Sequence, residues 1–390
     1  MLIRSASGLR GIVKDDFSPE IIDRHIASFV ANQNITSCVI GRDGRSSGKD
    51  ITQWVINSLT YHGADVDDCG LATTPTIQLM TEKDKYDGGI IITASHNPAE
   101  YNGLKFLQKD GTFLSPDQCN TLFLIADSQK FLRSARRRRN YMGRRSQYDS
   151  ANAEHIAKVI DATCIDSKSI ASKQFKVVVD AVNGAGSTIL PKLCEDLGCH
   201  VTTIHCNGDG NFTRVAEPLA PNLKDLERKV VEVGADIGFA TDPDGDRLSI
   251  VSNKGEAIGE EYSLVLAFKN FIKYENSRVV TNLSTSQMID NISSGSIRTK
   301  IGEAYVVEKM KALNIPIGGE GNGGVILKEV HLGRDSLVAT AMVLNLLSKE
   351  NKPINEMINE IPQYIFIKDK VDIDDSIDFD SLATLFDCDE

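Results

Sequence analysis

Residues 87–106 read DGGIIITASHNPAEYNGLKF, and the reading of this stretch decides the fold. Ile90, Ile91 and Ile92 form a short β-branched run with two glycines before it and a polar loop after it. That is the pattern of a strand buried on both faces of a parallel sheet. Thr93-Ala94-Ser95-His96-Asn97-Pro98 follows without a spacer. Asn-Pro signals a turn, and Pro98 biases Asn97 away from the α region. Ser95 is therefore expected on a tight loop at the carboxyl end of a strand, where open α/β sheets hold their ligands. His96 beside it and Lys105 beyond it add a proton-transfer group and a cation. Taken alone, Ser-His-Asn-Pro favours a plainer reading, a polar loop whose side chains satisfy one another. What the chain places elsewhere has to overturn that.

The counterpart lies far downstream, in Thr241-Asp242-Pro243-Asp244-Gly245-Asp246-Arg247, after an apolar strand starting at Ile237. Asp242, Asp244 and Asp246 alternate along an extended loop, so their carboxylates point the same way. Three converging hard oxygen ligands repel unless a cation sits among them, and Mg²⁺ suits such a site. An EF-hand begins similarly but needs Gly at its sixth position and Glu at its twelfth, where this chain has Arg247 and Asn253. A solvated acidic turn is the plainer alternative.

Around these two stretches the chain alternates strand and helix. Ser18-Pro19-Glu20 starts a helix whose Ile21, Ile22, Ile26, Phe29 and Val30 share a face. Cys38–Gly41 is a strand running into Arg42-Asp43-Gly44-Arg45-Ser46-Ser47-Gly48, which opens the helix around Trp54. Strands are expected at 176–180, 201–204, 237–241, 279–281 and 297–301, and helices at 187–198, 223–233, 286–292, 303–310 and 336–347. The result is an α/β fold of three similar units with mixed sheets: the serine stretch falls in a unit at 1–150, the aspartate stretch in one at 151–250 and a glycine-rich stretch in one at 251–362. Residues 363–390 follow as an acidic tail. The Gly184-Ala185-Gly186 turn lacks the third glycine of a dinucleotide fingerprint, and no Walker A loop occurs.

Composition narrows the function. At 390 residues the chain implies two to four domains, and 41% hydrophobic with 25% charged residues is ordinary for a globular protein. A net charge of −11 argues against a general nucleic-acid or membrane-surface binder. The eight cysteines include no CxxC pair, and neither a signal peptide nor a spanning apolar run is visible, so reduced thiols and a cytoplasmic location are expected. Seven arginines between Arg133 and Arg145 read as a solvated connector, with a local anion patch as the sharper alternative. Oligomeric state has no sequence signal.

TASHNP followed by YNGLK resembles the active-serine loop of the α-D-phosphohexomutases, and DPDGDR resembles their metal loop. The resemblance implies that Ser95 carries a phosphoryl group and that Asp242, Asp244 and Asp246 hold Mg²⁺ against it. It also implies that Arg247 and Arg10, the latter in Gly8-Leu9-Arg10-Gly11, reach the phosphate, while Lys105 or His96 handles the hydroxyl proton. The segment 41–47 is similar to the family's Gly-x-Asp-x-Arg-x-Ser, either a helix cap or a substrate contact, and Leu71–Thr76 matches a family turn with a structural role. Gly318-Gly319-Glu320-Gly321-Asn322-Gly323-Gly324 resembles the sugar loop Gly-Glu-x-Ser-Gly-His. Glu320 matches the acid there; Asn322 stands for the serine and Gly324 for the histidine. Gly302-Glu303-Ala304-Tyr305 and the VVEKM that follows look more like phosphoglucosamine mutases than phosphomanno/phosphoglucomutases.

The implied activity moves phosphate between C6 and C1 of a hexose phosphate, by way of the 1,6-bisphosphate. The expected substrate is glucosamine 6-phosphate, with mannose or glucose phosphate as the alternative. The resemblance makes the three units an active-serine, a metal-loop and a sugar-loop domain and implies that residues 363–390 are the start of a truncated fourth; the family's fourth-domain phosphate loop, Arg-x-Ser-(Gly/Asn)-Thr-Glu-Pro, does not occur in these residues. That leaves a non-catalytic sugar-phosphate binder as the rival class, and poor isomerisation by this chain alone as an expectation.

Overall fold

The computed structural model describes residues 2–5, 7–128, 141–273, 277–362 and 364. The fourth-unit expectation for 363–390 and most of the arginine run therefore lie outside the described residues; of the run, Arg144 and Arg145 are described.

Three mixed sheets carry the fold. The first contains β1 (Ile3–Ser5), β2 (Gly8–Ile12), β3 (Ser37–Arg42), β4 (Asp65–Leu71), β5 (Gly88–Ile92), β6 (Tyr101–Gln108) and β7 (Arg145–Gln147), in the order β1-β2-β6-β5-β3-β4-β7. The second contains β8 (Lys176–Asp180), β9 (His200–Ile204), β10 (Ile237–Thr241) and β11 (Leu248–Ser252), ordered β11-β10-β8-β9. The third contains β12 (Val279–Asn282), β13 (Ser296–Thr299), β14 (Ile317–Glu320) and β15 (Gly324–Leu327), ordered β13-β12-β14-β15.

All three contain one motif. Three parallel strands are followed by a fourth that returns antiparallel beside the third: β3, β4, β5 and β6; β8, β9, β10 and β11; β12, β13, β14 and β15. The loop between the third and fourth strands holds Ser95 in the first sheet, the three aspartates in the second and Gly321–Gly323 in the third. The three loops thus occupy equivalent positions in a repeated topology.

Local chemistry sets the elements. Ser18 Oγ accepts from Ile21 N at 3.3 Å and caps the helix Pro19–Asn32. A capping box of Ser115 and Gln118 starts the helix Pro116–Asp127. These helices cover one face of the first sheet, with Phe29 against Phe106 at a ring separation of 5.0 Å. The second and third sheets share one continuous apolar core, in which helices Glu261–Ile272 and Ser336–Glu350 pack together around residues such as Phe268 and Leu344.

Several expectations shift. Arg10 lies inside β2, opposite Gly103 of β6, so its two flanking glycines belong to a strand. The return strand β11 extends the second unit to Ser252, past residue 250. The segment 286–292 forms a short 3₁₀ turn, Gln287–Asn291, because Ser293-Ser294-Gly295 follows and stops it. The glycine stretch at 318–324 is two strands with a tight turn between them. Arg145 opens the edge strand β7 beside β4, so that end of the arginine run is ordered structure.

Candidate active site

Ser95 sits where β5 ends, with φ at 49°, in the left-handed region that serine rarely adopts. A non-glycine residue is held there only when its surroundings over-determine it. Here the determinant is Arg45, whose buried guanidinium donates to the carbonyls of Ser95 (2.6 Å), Asn97 (2.7 Å), Pro98 and Tyr101 (3.0 Å). Asp43 holds Arg45 Nε at 3.0 Å and also accepts from Thr93 Oγ1 at 2.6 Å. Segment 41–47 does not act as a side-chain helix cap, since Ser47 makes no capping hydrogen bond, and its Arg45 is the strut of the serine loop.

Ser95 Oγ lies 3.2 Å from His96 Nδ1 and donates to Asp242 Oδ2 at 3.3 Å. Asp242, Asp244 and Asp246 are fully buried, and one carboxylate oxygen from each lies within 4.8 Å of the others. Lys105 Nζ donates to Asp244 Oδ2 at 2.7 Å and lies 4.0 Å from Asp246. Thr74 Oγ1 donates to the same Asp244 oxygen at 2.6 Å, and Thr74 N donates to the Asp244 carbonyl at 2.8 Å. The family turn at 71–76 therefore supports the metal loop directly.

The charges are unequal within this cluster. Burial and the neighbouring Asp246 and Asp244 push the Asp242 carboxyl well above its ordinary range. Asp244 is driven the other way: against the effect of burial, the Lys105 ammonium and hydrogen bonds hold it ionised. Lys105 stays protonated despite its burial, because Asp244 and Asp246 face it. Burial and the Arg247 charge lower His96, which favours the neutral imidazole. Asp244 Oδ1 and Asp246 Oδ1 are buried without a hydrogen-bond partner. Unpaired buried carboxylate oxygens are costly, and an all-oxygen hard donor set fits a divalent cation of the Mg²⁺ type.

Beside the aspartates opens a cleft of about 330 Å³, whose lining includes Arg10, Ser95, His96, Lys105, Arg247, Gly302, Glu303, Glu320 and Asn322; Ser95 and Lys105 connect it to the buried triad. Every residue singled out from the sequence is thus in this cleft or immediately beneath it. Arg10 Nη1 donates to Asn97 Oδ1 at 3.3 Å and Arg247 Nη1 to Glu217 Oε1 at 2.7 Å. The Nε of each arginine is buried without a hydrogen-bond partner, and that of Arg247 lies 4.0 Å from Asp246 Oδ1. On the opposite wall Glu320 accepts from Asn282 Nδ2 (2.7 Å) and from Gly302 N (3.0 Å). Gly302 is thus a support for Glu320. Burial raises the Glu303 carboxyl above its ordinary range, against the pull of Arg334.

Gln78 and Arg334 were not singled out from the sequence, and Arg45 and Thr74 stood there only inside the segments 41–47 and 71–76, without roles of their own. Gln78 Nε2 donates to Glu303 Oε1 at 3.0 Å. Arg334 bridges Glu303 (3.0 Å), Glu320 (2.8 Å) and Asp246 (2.6 Å). Arg45, Thr74 and Arg334 each stand beside a glycine or proline, which reads as turn chemistry, and Gln78 lies inside a helix.

The fold and site define a multidomain α/β enzyme of the phosphoryl-transferring isomerase class. The descriptions "Phosphoglucomutase/phosphomannomutase, alpha/beta/alpha domain I", "domain II" and "domain III" match residues 1–133, 153–255 and 259–364. A phosphoglucomutase/phosphomannomutase of Thermococcus kodakarensis is 35% identical over 376 residues, covering 93% of this chain and 81% of the relative. A probable phosphoglucosamine mutase of Methanopyrus kandleri is 31% identical over 380 residues, covering 95% and 81%. The crystal structure of a phosphoglucomutase/phosphomannomutase family protein from Burkholderia thailandensis superposes with a TM-score of 0.79 at 26% identity, over 93% of this chain and 80% of that one. The chain belongs to the α-D-phosphohexomutase family. Among the described residues no helix is long and apolar enough to cross a membrane.

Proposed function

We propose that this phosphohexomutase interconverts glucosamine 6-phosphate and glucosamine 1-phosphate through a phosphorylated Ser95 and a 1,6-bisphosphate. The observation that carries the reading is that Ser95, Arg10 and Arg247 line one cleft while Ser95 Oγ is hydrogen-bonded to the buried aspartate triad beside it. A sugar hydroxyl attacks the phosphorus on Ser95; its new P–O bond forms as the bond to Ser95 Oγ breaks. Arg10 and Arg247 donate to the phosphoryl oxygens, where charge is spread in the transition state. His96, neutral and beside Ser95, takes the hydroxyl proton, while Lys105 remains a cation that balances Asp244 and Asp246. Asp242, Asp244, Asp246 and Ser95 would hold Mg²⁺, which neutralises phosphoryl charge when bound.

The amino-sugar assignment rests on charge. Glu303 and Glu320 line the sugar side of the cleft and share the single guanidinium of Arg334, so two carboxyls offer acceptors to an ammonium group there. Relatives named as probable phosphoglucosamine mutases support the same choice. Comparing kcat/KM for the 6-phosphates of glucosamine, glucose and mannose tests it, with glucosamine expected to lead by about tenfold or more. A lead for mannose or glucose rejects the amino-sugar assignment. Chelation should abolish turnover and Mg²⁺ restore it; Asp244→Asn should lose metal affinity and activity together.

A further inference from the structure

Gly324 stands where the family's sugar loop has a histidine, and the structure shows what fills that space. A Cβ on Gly324 would lie 2.2 Å from Arg334 Cδ and 2.8 Å from Arg334 Cγ. The backbone there is an ordinary strand with no left-handed φ, so a side chain at 324 is excluded by Arg334 and not by conformation. Arg334 enters from a different segment, just ahead of the helix Ser336–Glu350. Its side chain lines the cleft between the metal loop and the sugar loop. A guanidinium carries five N–H donors. Three are taken by Glu303, Glu320 and Asp246. One N–H on each Nη remains, and three carboxylates from three loops fix the plane in which both lie.

We propose that Arg334 is a substrate-contacting, specificity-determining residue: it occupies the side-chain volume given up at position 324 and donates its remaining N–H pair to a ring hydroxyl of the sugar. The inference rests on the reading that the cleft takes a hexose phosphate, but not on which one. A fixed fork that loses its acceptor is left with unpaired donors in a dry site, so it discriminates strongly against a sugar lacking that hydroxyl.

Calorimetric titration of the whole chain with its best hexose 6-phosphate and with the 3-deoxy and 4-deoxy analogues tests this. Wild type should bind one analogue about tenfold or more weakly than the parent sugar. Arg334→Met should bind parent and that analogue within about twofold of each other, whatever its overall affinity. Arg334→Lys, which keeps the charge without the fork, should show a reduced ratio and serves if the Met variant does not fold. The double variant Gly324→His with Arg334→Gly should bind the parent sugar better than Gly324→His alone, where the two side chains collide. Unchanged discrimination in Arg334→Met or in Arg334→Lys overturns the inference, as does a wild type indifferent to both hydroxyls. Absence of any hexose-phosphate binding by wild type instead removes the proposed function, and the inference falls with it.

Discussion

At the scale of single residues, the serine loop is a strained backbone held by one cation. Four carbonyls converge on Arg45, and each charge-assisted hydrogen bond contributes about 1.5–3 kcal/mol. That exceeds the roughly 1–3 kcal/mol cost of placing a non-glycine residue at positive φ. Arg45→Met should therefore release Ser95 from its place over Asp242 and lower kcat by about a hundredfold or more, while the hydrophobic core stays intact. Turnover within about threefold of wild type, with a native circular dichroism spectrum, would show that the loop holds without its strut. The sequence made Ser95 and the three aspartates legible because their chemistry is local: a nucleophile after a β-branched run, and carboxylates at alternate positions. The roles of Arg45 and Arg334 were not legible, because the loop carbonyls that Arg45 holds lie 50 to 56 residues away, the three partners of Arg334 come from segments 14, 31 and 88 residues away, and the neighbours of both look like caps.

At the scale of elements, helix and strand positions followed from periodicity, while the repeat of the hairpin loop did not, since equivalence in a sheet order has no signature in side chains. The 3₁₀ turn at Gln287–Asn291 shows the limit: five residues with a capping serine read as a helix until the serines and glycine after them are counted. The helix Pro19–Asn32 carries a pH dependence of its own. His25 faces Phe123 edge-on at 6.0 Å, its Nδ1 is 2.7 Å from the Ile21 carbonyl, and its Nε2 is buried without a partner. Burial holds this imidazole at about 4, below its ordinary 6.5. The unfolded chain takes up the proton as pH falls through that ordinary value, whereas the folded chain does not until about 4. Stability is thus complete above 6.5 and declines towards 4, by about 2 kcal/mol at pH 5. Urea midpoints at pH 7 and pH 5 should fall less for His25→Asn than for wild type; equal falls would place the acid sensitivity elsewhere.

At the scale of the whole molecule, the second and third sheets are fused by one apolar core, and the first joins them through buried polar contacts. Thr74 reaches Asp244 and Gln78 reaches Glu303. Behind the cleft Asp335 Oδ2 accepts from His155 (2.8 Å) and His331 (3.1 Å), and His155 Nδ1 meets Thr76 Oγ1 at 2.9 Å. Asp335 Oδ1 also caps the helix Ser336–Glu350. Asp335→Ala leaves two buried imidazoles and two backbone donors without acceptors and should cost about 3–5 kcal/mol, seen as a lower Tm. A Tm within a degree or two of wild type would mean that the apolar core alone sets stability. These contacts bring three equivalent loops together, and in the proposed reaction phosphate passes through Ser95 there. The direct measurement is peptide mass spectrometry of the chain after incubation with hexose 1,6-bisphosphate and Mg²⁺. One phosphoryl group is expected on Ser95, absent in Ser95→Ala together with turnover; a phosphoryl group mapped to another residue, with Ser95→Ala still active, would refute transfer through Ser95.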